Sequence, residues 1–209
     1  MQSISQSEFA DLANVSRETL ERLTAYLDLI KRWQPAINLV GPATLADAWR
    51  RHILDSAQLL PHLPDDLVAL YDLGSGAGLP GMVLAIMGQG KIHLVESDQR
   101  KAQFLKEVAR ILDIDIKIHV QRIETLPPLC ATVVTARALA PLPRLLDLAA
   151  PLLQPGGHCL FLKGQTLPDE LTEARKCWRM QSHSFPSLSE PSASILKLWD
   201  IERAPLHRD

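Results

Sequence analysis

Apolar positions in residues 1–64 recur at helical spacing. Leu20, Leu23, Leu27 and Ile30 follow one another at intervals of 3, 4 and 3, which lines them along one face of a helix. Ser16 is placed to cap the free N–H groups at its start, and Pro35 stops it. Thr44 with Asp47 resembles a capping box opening a second helix, which Pro61 closes. Trp33 and Trp49 are expected to pack these helices against the rest of the chain. From Val68 the period shortens. Apolar runs at 68–73, 91–96, 115–120, 131–136 and 158–163 read as strands, separated by helical stretches such as 98–112 and 142–153. Strands alternating with helices imply a parallel sheet covered on both faces. A helix near 168–178 precedes two last strands, about 180–185 and 193–200, whose short Ser/Pro-rich connection suits an antiparallel pair at the sheet edge. The expected architecture is α/β: a Rossmann-like, seven-stranded, mostly parallel sheet over residues 65–209, with a helical N-terminal extension over residues 1–64.

Composition narrows the classes. With 46% hydrophobic and 22% charged residues in 209, the chain has the balance of a folded core, which excludes disorder and collagen-like repetition. The 22 Lys and Arg against 24 Asp and Glu exclude a protein that coats nucleic acid by bulk charge, though not a local basic cleft. Cys130, Cys159 and Cys177 form no CxxC pair, so neither a disulfide framework nor a zinc ribbon is expected. The His residues show no metal-ligand spacing, and no metal is expected. The first residues lack the basic start and apolar core of a signal peptide, and no apolar run approaches the roughly 18 residues of a membrane span. A cytoplasmic protein is expected.

The densest chemical signal is Asp72-Leu73-Gly74-Ser75-Gly76-Ala77-Gly78-Leu79-Pro80-Gly81, directly after the first strand. Glycines there let the backbone turn tightly and approach a ligand closely. Glu96, at the end of the next strand, is where open α/β sheets grip a ribose diol. Two cofactors compete for such a loop. Gly76, Gly78 and Gly81, with Glu96 20 residues after Gly76, formally satisfy the dinucleotide fingerprint. Gly74, Gly76 and Gly78 with Asp72 at the strand end read instead as an S-adenosylmethionine loop. An acidic group beside the loop suits an ammonium and a sulfonium better than a pyrophosphate. No Tyr-x-x-x-Lys pair occurs, since Tyr26 and Tyr71 are followed by Ile30 and Ser75. The methyl-donor reading is favoured, with a dinucleotide-binding assembly or sensing factor lacking methyltransferase activity as the alternative.

Asn38-Leu39-Val40, Arg51-His52-Ile53-Leu54-Asp55-Ser56 and the glycine loop together resemble the bacterial ribosomal RNA small subunit methyltransferase G (GidB) family. Arg122-Ile123-Glu124, Ala136-Arg137-Ala138 and Leu162-Lys163-Gly164-Gln165 follow in the family's order. The resemblance runs from Asn38 to Gln165, and its most specific part is the Arg-His-Ile-Leu-Asp-Ser run. It implies a class I S-adenosylmethionine-dependent methyltransferase acting on N7 of one guanosine in the decoding-region loop of 16S rRNA. By motif position, Gly74 and Leu79 would contact the cofactor, Ile123 and Glu124 would lie beside its adenine, and Arg137 would line the cofactor and substrate pocket. Ala136 stands where the family commonly has Ser.

Guanine N7 carries a free lone pair at neutral pH, so methylating it needs alignment rather than a general base. The edge that bears N7 is closed to side chains in A-form RNA, so a loop or splayed base is the expected target. Arg137 and Lys163 are the expected catalytic contacts to the guanine or a phosphate. Arg50, Arg51 and Arg144 are further cations expected to gather with them at one cleft mouth. Arg51 and Asp55, four apart, also read as a simple intrahelical ion pair, His52 as a packing or capping residue, and Ser75 as a turn residue. A monomer acting on 16S rRNA, the small ribosomal subunit or its assembly intermediate is expected.

Overall fold

The computed structural model describes residues 3–128 and 131–205. The N-terminal part begins with α1 (Gln6–Ala13), capped reciprocally by Ser5 and Glu8, a helix that hydrophobic spacing alone did not single out. Ser16 caps α2 (Arg17–Trp33) as expected: its hydroxyl accepts from the Thr19 N–H, and Leu23, Leu27 and Ile30 are buried along one face. The expected continuous helix from Thr44 to Pro61 does not form. The chain instead makes a 3₁₀ turn (Pro42–Asp47), a π turn (Trp49–Leu54), a short α3 (Asp55–Ala57) and a second 3₁₀ turn (Leu60–His62). Thr44 does not cap it, because its hydroxyl donates to the Gly41 carbonyl at 2.6 Å. A π turn carries an extra residue per turn, which re-aims the side chains around it.

The remainder alternates strand and helix: β1 (Leu70–Leu73), α4 (Gly81–Ile86), β2 (Ile92–Val95), α5 (Gln99–Ile111), β3 (Lys117–His119), β4 (Ala131–Arg137), α6 (Leu142–Ala149), β5 (Leu153–Lys163), α7 (Leu167–Ala174), β6 (Trp178–Pro186) and β7 (Ser194–Arg203). They form one seven-stranded sheet in the order β3-β2-β1-β4-β5-β7-β6. The first five strands are mutually parallel, and β7 is antiparallel to both β5 and β6. The expected edge pair is present, with β7 inserted beside β5. Strand order reverses between β1 and β4, where the loops leaving their carboxyl ends part and open a crevice.

Each face of the sheet buries its own apolar layer. Leu70, Leu94, Val133 and Leu160 share one layer with α2, α4, α5 and Phe9. Leu73, Val134, Ala136 and Phe161 share the other with α6, Leu167 and Trp178. The strands are apolar on both sides because both sides are covered. Trp33 packs edge-on against Phe104 of α5, as expected, whereas Trp49 packs against Phe9 of α1. Among the described residues no helix is long and apolar enough to cross a membrane.

Candidate active site

The loop after β1 is shaped from behind, chiefly by residues that line neither cavity. Asp72, fully buried, accepts from the Gly81 N–H at 3.1 Å with Oδ2 and from the Thr135 hydroxyl at 3.1 Å with Oδ1. Thr135 is its cross-strand neighbour on β4, so this carboxylate ties β1, β4 and the start of α4 together. Burial pushes its carboxyl up to about 6, against the hydrogen bonds from Gly81, Thr135 and Ser75, which pull it down. Ser75 donates to the Asp72 carbonyl and accepts from the Val95 N–H, the turn role expected of it. Gly78, at φ +95°, is pressed so close that a Cβ there would lie 2.7 Å from Met82 Cβ and 3.0 Å from Leu105 Cδ2. The Tyr26 hydroxyl of α2 donates to the Ala77 carbonyl at 2.7 Å, so the N-terminal helices hold the loop directly.

In front of the loop lie two adjoining cavities. The smaller, about 330 Å³, is lined by Gly74, Gly76, Glu96, Ile123, Glu124 and Leu139 among others. Gly76 is left-handed at φ +57°, and a Cβ there would find no atom nearer than the Gly74 carbonyl oxygen at 3.9 Å, so its bare face is open. Its N–H donates to Glu96 Oε2 at 2.8 Å, while Glu96 Oε1 accepts from the Asp98 N–H at 2.7 Å. These two bonds fix the Glu96 carboxylate and leave each oxygen a lone pair for a hydroxyl donor. Glu124 lies at the rim and accepts from Arg144 at 2.5 Å. The larger cleft, about 830 Å³, shares Gly74, Gly76 and Leu139 with the smaller one and adds Leu79, Arg137, Lys163, Arg51, His52 and Asp55. Asp72 and Gly78 line neither cavity.

The cleft's polar groups are interlocked. Arg137, at the end of β4, donates to Asp55 Oδ2 at 3.1 Å and to the Arg51 carbonyl at 3.0 Å. Both of its terminal nitrogens lie 3.4 Å from His52 Nδ1. A guanidinium only donates, so Nδ1 carries the lone pair and Nε2 the proton, which it donates to the Thr44 hydroxyl at 2.8 Å. Burial, reinforced by the Arg137 and Arg51 guanidinium charges, pulls the His52 imidazole down to about 4 and keeps it neutral at pH 7. Asp55 Oδ1 accepts from the Ser189 hydroxyl at 2.5 Å, joining this network to the β6–β7 connection. Lys163, at the end of β5, pairs with Glu170 of α7 and donates to the Ala140 carbonyl at 3.3 Å. Glu170 also accepts from the Leu142 N–H and the Thr166 hydroxyl.

Of the five cations expected at the mouth, Arg51, Arg137 and Lys163 line the cleft. Arg50 is bound to Asp47 and the Ser189 carbonyl, and Arg144 to Glu124 beside the other cavity. The expected Arg51–Asp55 pair does not form, because Arg51 reaches Glu190 and Asp55 takes Arg137. Ser189, Glu190 and Glu170 were not singled out from sequence. Nothing in a Ser/Pro-rich connection marks Ser189 and Glu190, whose partners in the N-terminal part lie 134 to 139 positions away, and Glu170, though close to Lys163 in the chain, carries no motif that marks it.

A parallel sheet whose glycine loop, strand-end carboxylate and two joined cavities meet at the β1/β4 switch point is the class I S-adenosylmethionine-dependent methyltransferase arrangement. Solved structures share the fold. A TehB-like methyltransferase from Corynebacterium glutamicum superimposes with TM-score 0.58 at 14% identity, covering 84% of this chain and 97% of that one. M. jannaschii TYW2 in complex with AdoMet gives TM-score 0.56 at 11% identity over 81% of this chain and 80% of that one. The sequence profile of rRNA small subunit methyltransferase G (GidB) matches residues 19–196, and the chain belongs to that family. Ribosomal RNA small subunit methyltransferase G of Rhodospirillum rubrum is 55% identical over 196 residues, 94% of this chain and 98% of the relative. The protein of the same name from Rhodospirillum centenum is 53% identical over 199 residues, 95% of this chain and 92% of the relative. S-adenosylmethionine is accordingly the cofactor, and the open face of Gly76 with the fixed Glu96 carboxylate suits its adenosine part.

Proposed function

We propose that the protein methylates N7 of a guanosine in the decoding-region loop of bacterial 16S rRNA. Relatives named for small-subunit rRNA methylation over nearly the whole chain support the substrate class. The chemistry of the cleft supports the atom. When bound, S-adenosylmethionine supplies an electrophilic methyl group. Among the described residues, the acids lining the cleft are engaged: Asp55 by Arg137, Glu170 by Lys163 and Glu190 by Arg51. The lining His52 is neutral, with its free lone pair turned to Arg137. With the less exposed Asp55 and Glu170 held in their ion pairs and His52 turned to Arg137, the inner cleft offers no disengaged base, which suits a nucleophile that needs no deprotonation, and N7 is such a nucleophile where an amine or ribose hydroxyl is not. That observation carries the reading.

In it, Glu96 holds the ribose hydroxyls beside the open face of Gly76, Ile123 and Glu124 flank the adenine, and Gly74 and Leu79 bound the methionine part. Asp72 and Gly78 act from behind, by holding the loop in shape. Arg137 and Lys163 orient the target guanine or its phosphate, so catalysis rests on alignment of donor and N7, a term of roughly 7–11 kcal/mol at most. Residues 1–64 serve as a buttress through the Tyr26–Ala77 bond, and residues 65–209 as the catalytic domain. The protein acts as a monomer in the cytoplasm, on the small subunit or an assembly intermediate. Labelled donor incubated with 16S rRNA and small subunits from cells lacking the protein tests this. Label is expected at one guanine N7 in the decoding region; label elsewhere, or on an amine or ribose, overturns it.

A further inference from the structure

We infer that Arg51 is a phosphate-binding residue at the cleft mouth, and that Glu190 occupies its guanidinium until RNA displaces it. The inference rests on the RNA reading of the cleft. The three ion pairs lining the cleft are unequal. Lys163 is 9% exposed, and Glu170 is held by two more hydrogen bonds at 2.7 Å. Arg137 and Asp55 are 20% and 15% exposed, and Asp55 also holds Ser189 and Gln58. Breaking either pair strands a charge inside the network, which is strongly unfavourable. Arg51 and Glu190 are each 35% exposed and joined by a single 2.6 Å contact. Glu190 Oε1 takes a long bond of 3.3 Å from the Ser192 hydroxyl, and the carboxylate is further favoured by the Ser192 backbone and the Arg50 charge, all of which remain when Arg51 is released.

An ion pair this accessible contributes little and opens readily. Among the described residues, one nitrogen of the Arg51 guanidinium makes the side chain's hydrogen bond, leaving the rest of its planar fork open to the cleft. That fork matches two oxygens of a phosphodiester better than the single carboxylate oxygen it now meets. Glu190 thus stands where an RNA phosphate belongs. It keeps the mouth nearly neutral, so RNA that does not fit the cleft gains nothing from Arg51. This agrees with a chain of net charge −2 that acts at one shaped place on RNA.

Equilibrium binding of 16S rRNA and of small subunits lacking the methyl group, measured by filter retention over a salt series, tests the exchange. Glu190→Gln is expected to tighten binding about two- to fivefold, the factor a half-exposed ion pair represents. Arg51→Gln is expected to weaken binding and lower the slope of log affinity against log salt by about 0.7, one phosphate contact. In the Arg51→Gln background Glu190→Gln is expected to have no effect, which separates a specific partner from a general change of charge. Calorimetry with S-adenosylhomocysteine reports whether each variant keeps the fold. Unchanged or weaker RNA binding by Glu190→Gln with cofactor affinity retained overturns the inference alone, as does equal tightening in both backgrounds. A wild-type protein that neither binds nor methylates rRNA overturns the reading beneath it as well.

Discussion

Replacing Asp72 by Asn isolates the energetic cost of the carboxylate behind the glycine loop. Its folded pKa is raised from 3.8 to about 6 by burial. Below pH 3.8 the carboxyl is protonated in both states and costs nothing. As pH rises from 3.8 to about 6, the unfolded chain ionises first, so stability falls, and above about 6 the loss is complete. A shift of about 2 units corresponds to a ceiling of about 3 kcal/mol. An Asn amide fits the same place: its oxygen accepts from the Gly81 N–H, and its NH₂ donates to Thr135 once that hydroxyl turns its own proton away. The exchange gives up charge-assisted hydrogen bonds, so the expected net gain at pH 7.5 is about 1–2 kcal/mol. At pH 5 the gain should largely vanish. Urea unfolding of both proteins at the two pH values measures it. An Asp72→Asn protein that is less stable than wild type by the same amount at both pH values refutes the reasoning. Titrating S-adenosylmethionine into both at pH 7.5 gives the second readout, weaker binding being expected where the negative charge behind the loop is lost.

Ala at Gly78 and at Gly76 should differ. Both positions are left-handed, which costs a residue with a Cβ about 1–2 kcal/mol, but only Gly78 also meets Met82 and Leu105 at 2.7 and 3.0 Å. Thermal unfolding should show a clearly larger loss for Gly78→Ala, and equal losses would remove the packing argument. Acidification should also weaken the fold, since His52, His93 and His158 are all drawn down to about 4, chiefly by burial. Between about pH 6.5 and 4 the unfolded chain binds more protons at these sites, so stability falls as pH falls. Asp72 works in the opposite direction over much of that window. The fall should therefore be steeper in Asp72→Asn, and a Tm profile flat from pH 7 to 4.5 in that variant would contradict it.

The strand–helix alternation was readable because buried parallel strands and amphipathic helices each leave a local period, and every expected strand has its counterpart in the sheet. The glycine loop and Glu96 were readable for a related reason. Tight turns and strand ends are local, so the residues that bear them stand together in the chain. Where the reading failed, a distant partner outcompeted a local one. Thr44 turned to Gly41 and His52 instead of capping a helix, and Arg51 and Asp55, four apart, took Glu190 and Arg137 rather than each other. The π turn that separates them has no signature in hydrophobic spacing.

Asp72 shows the division most clearly. From its neighbours it is a carboxylate next to a nucleotide loop, and its residue type and place at the strand end follow from the chain alone. Register with Thr135 on β4 and the approach of Gly81 turn it inward, away from both cavities. Local sequence sets which elements form and which groups are available, because propensity and periodicity act over a few residues. Which cation meets Asp55 and which meets Glu190, and how the glycine loop is held, depend on contacts across 51 to 139 positions of chain, and only packing the sheet decides them.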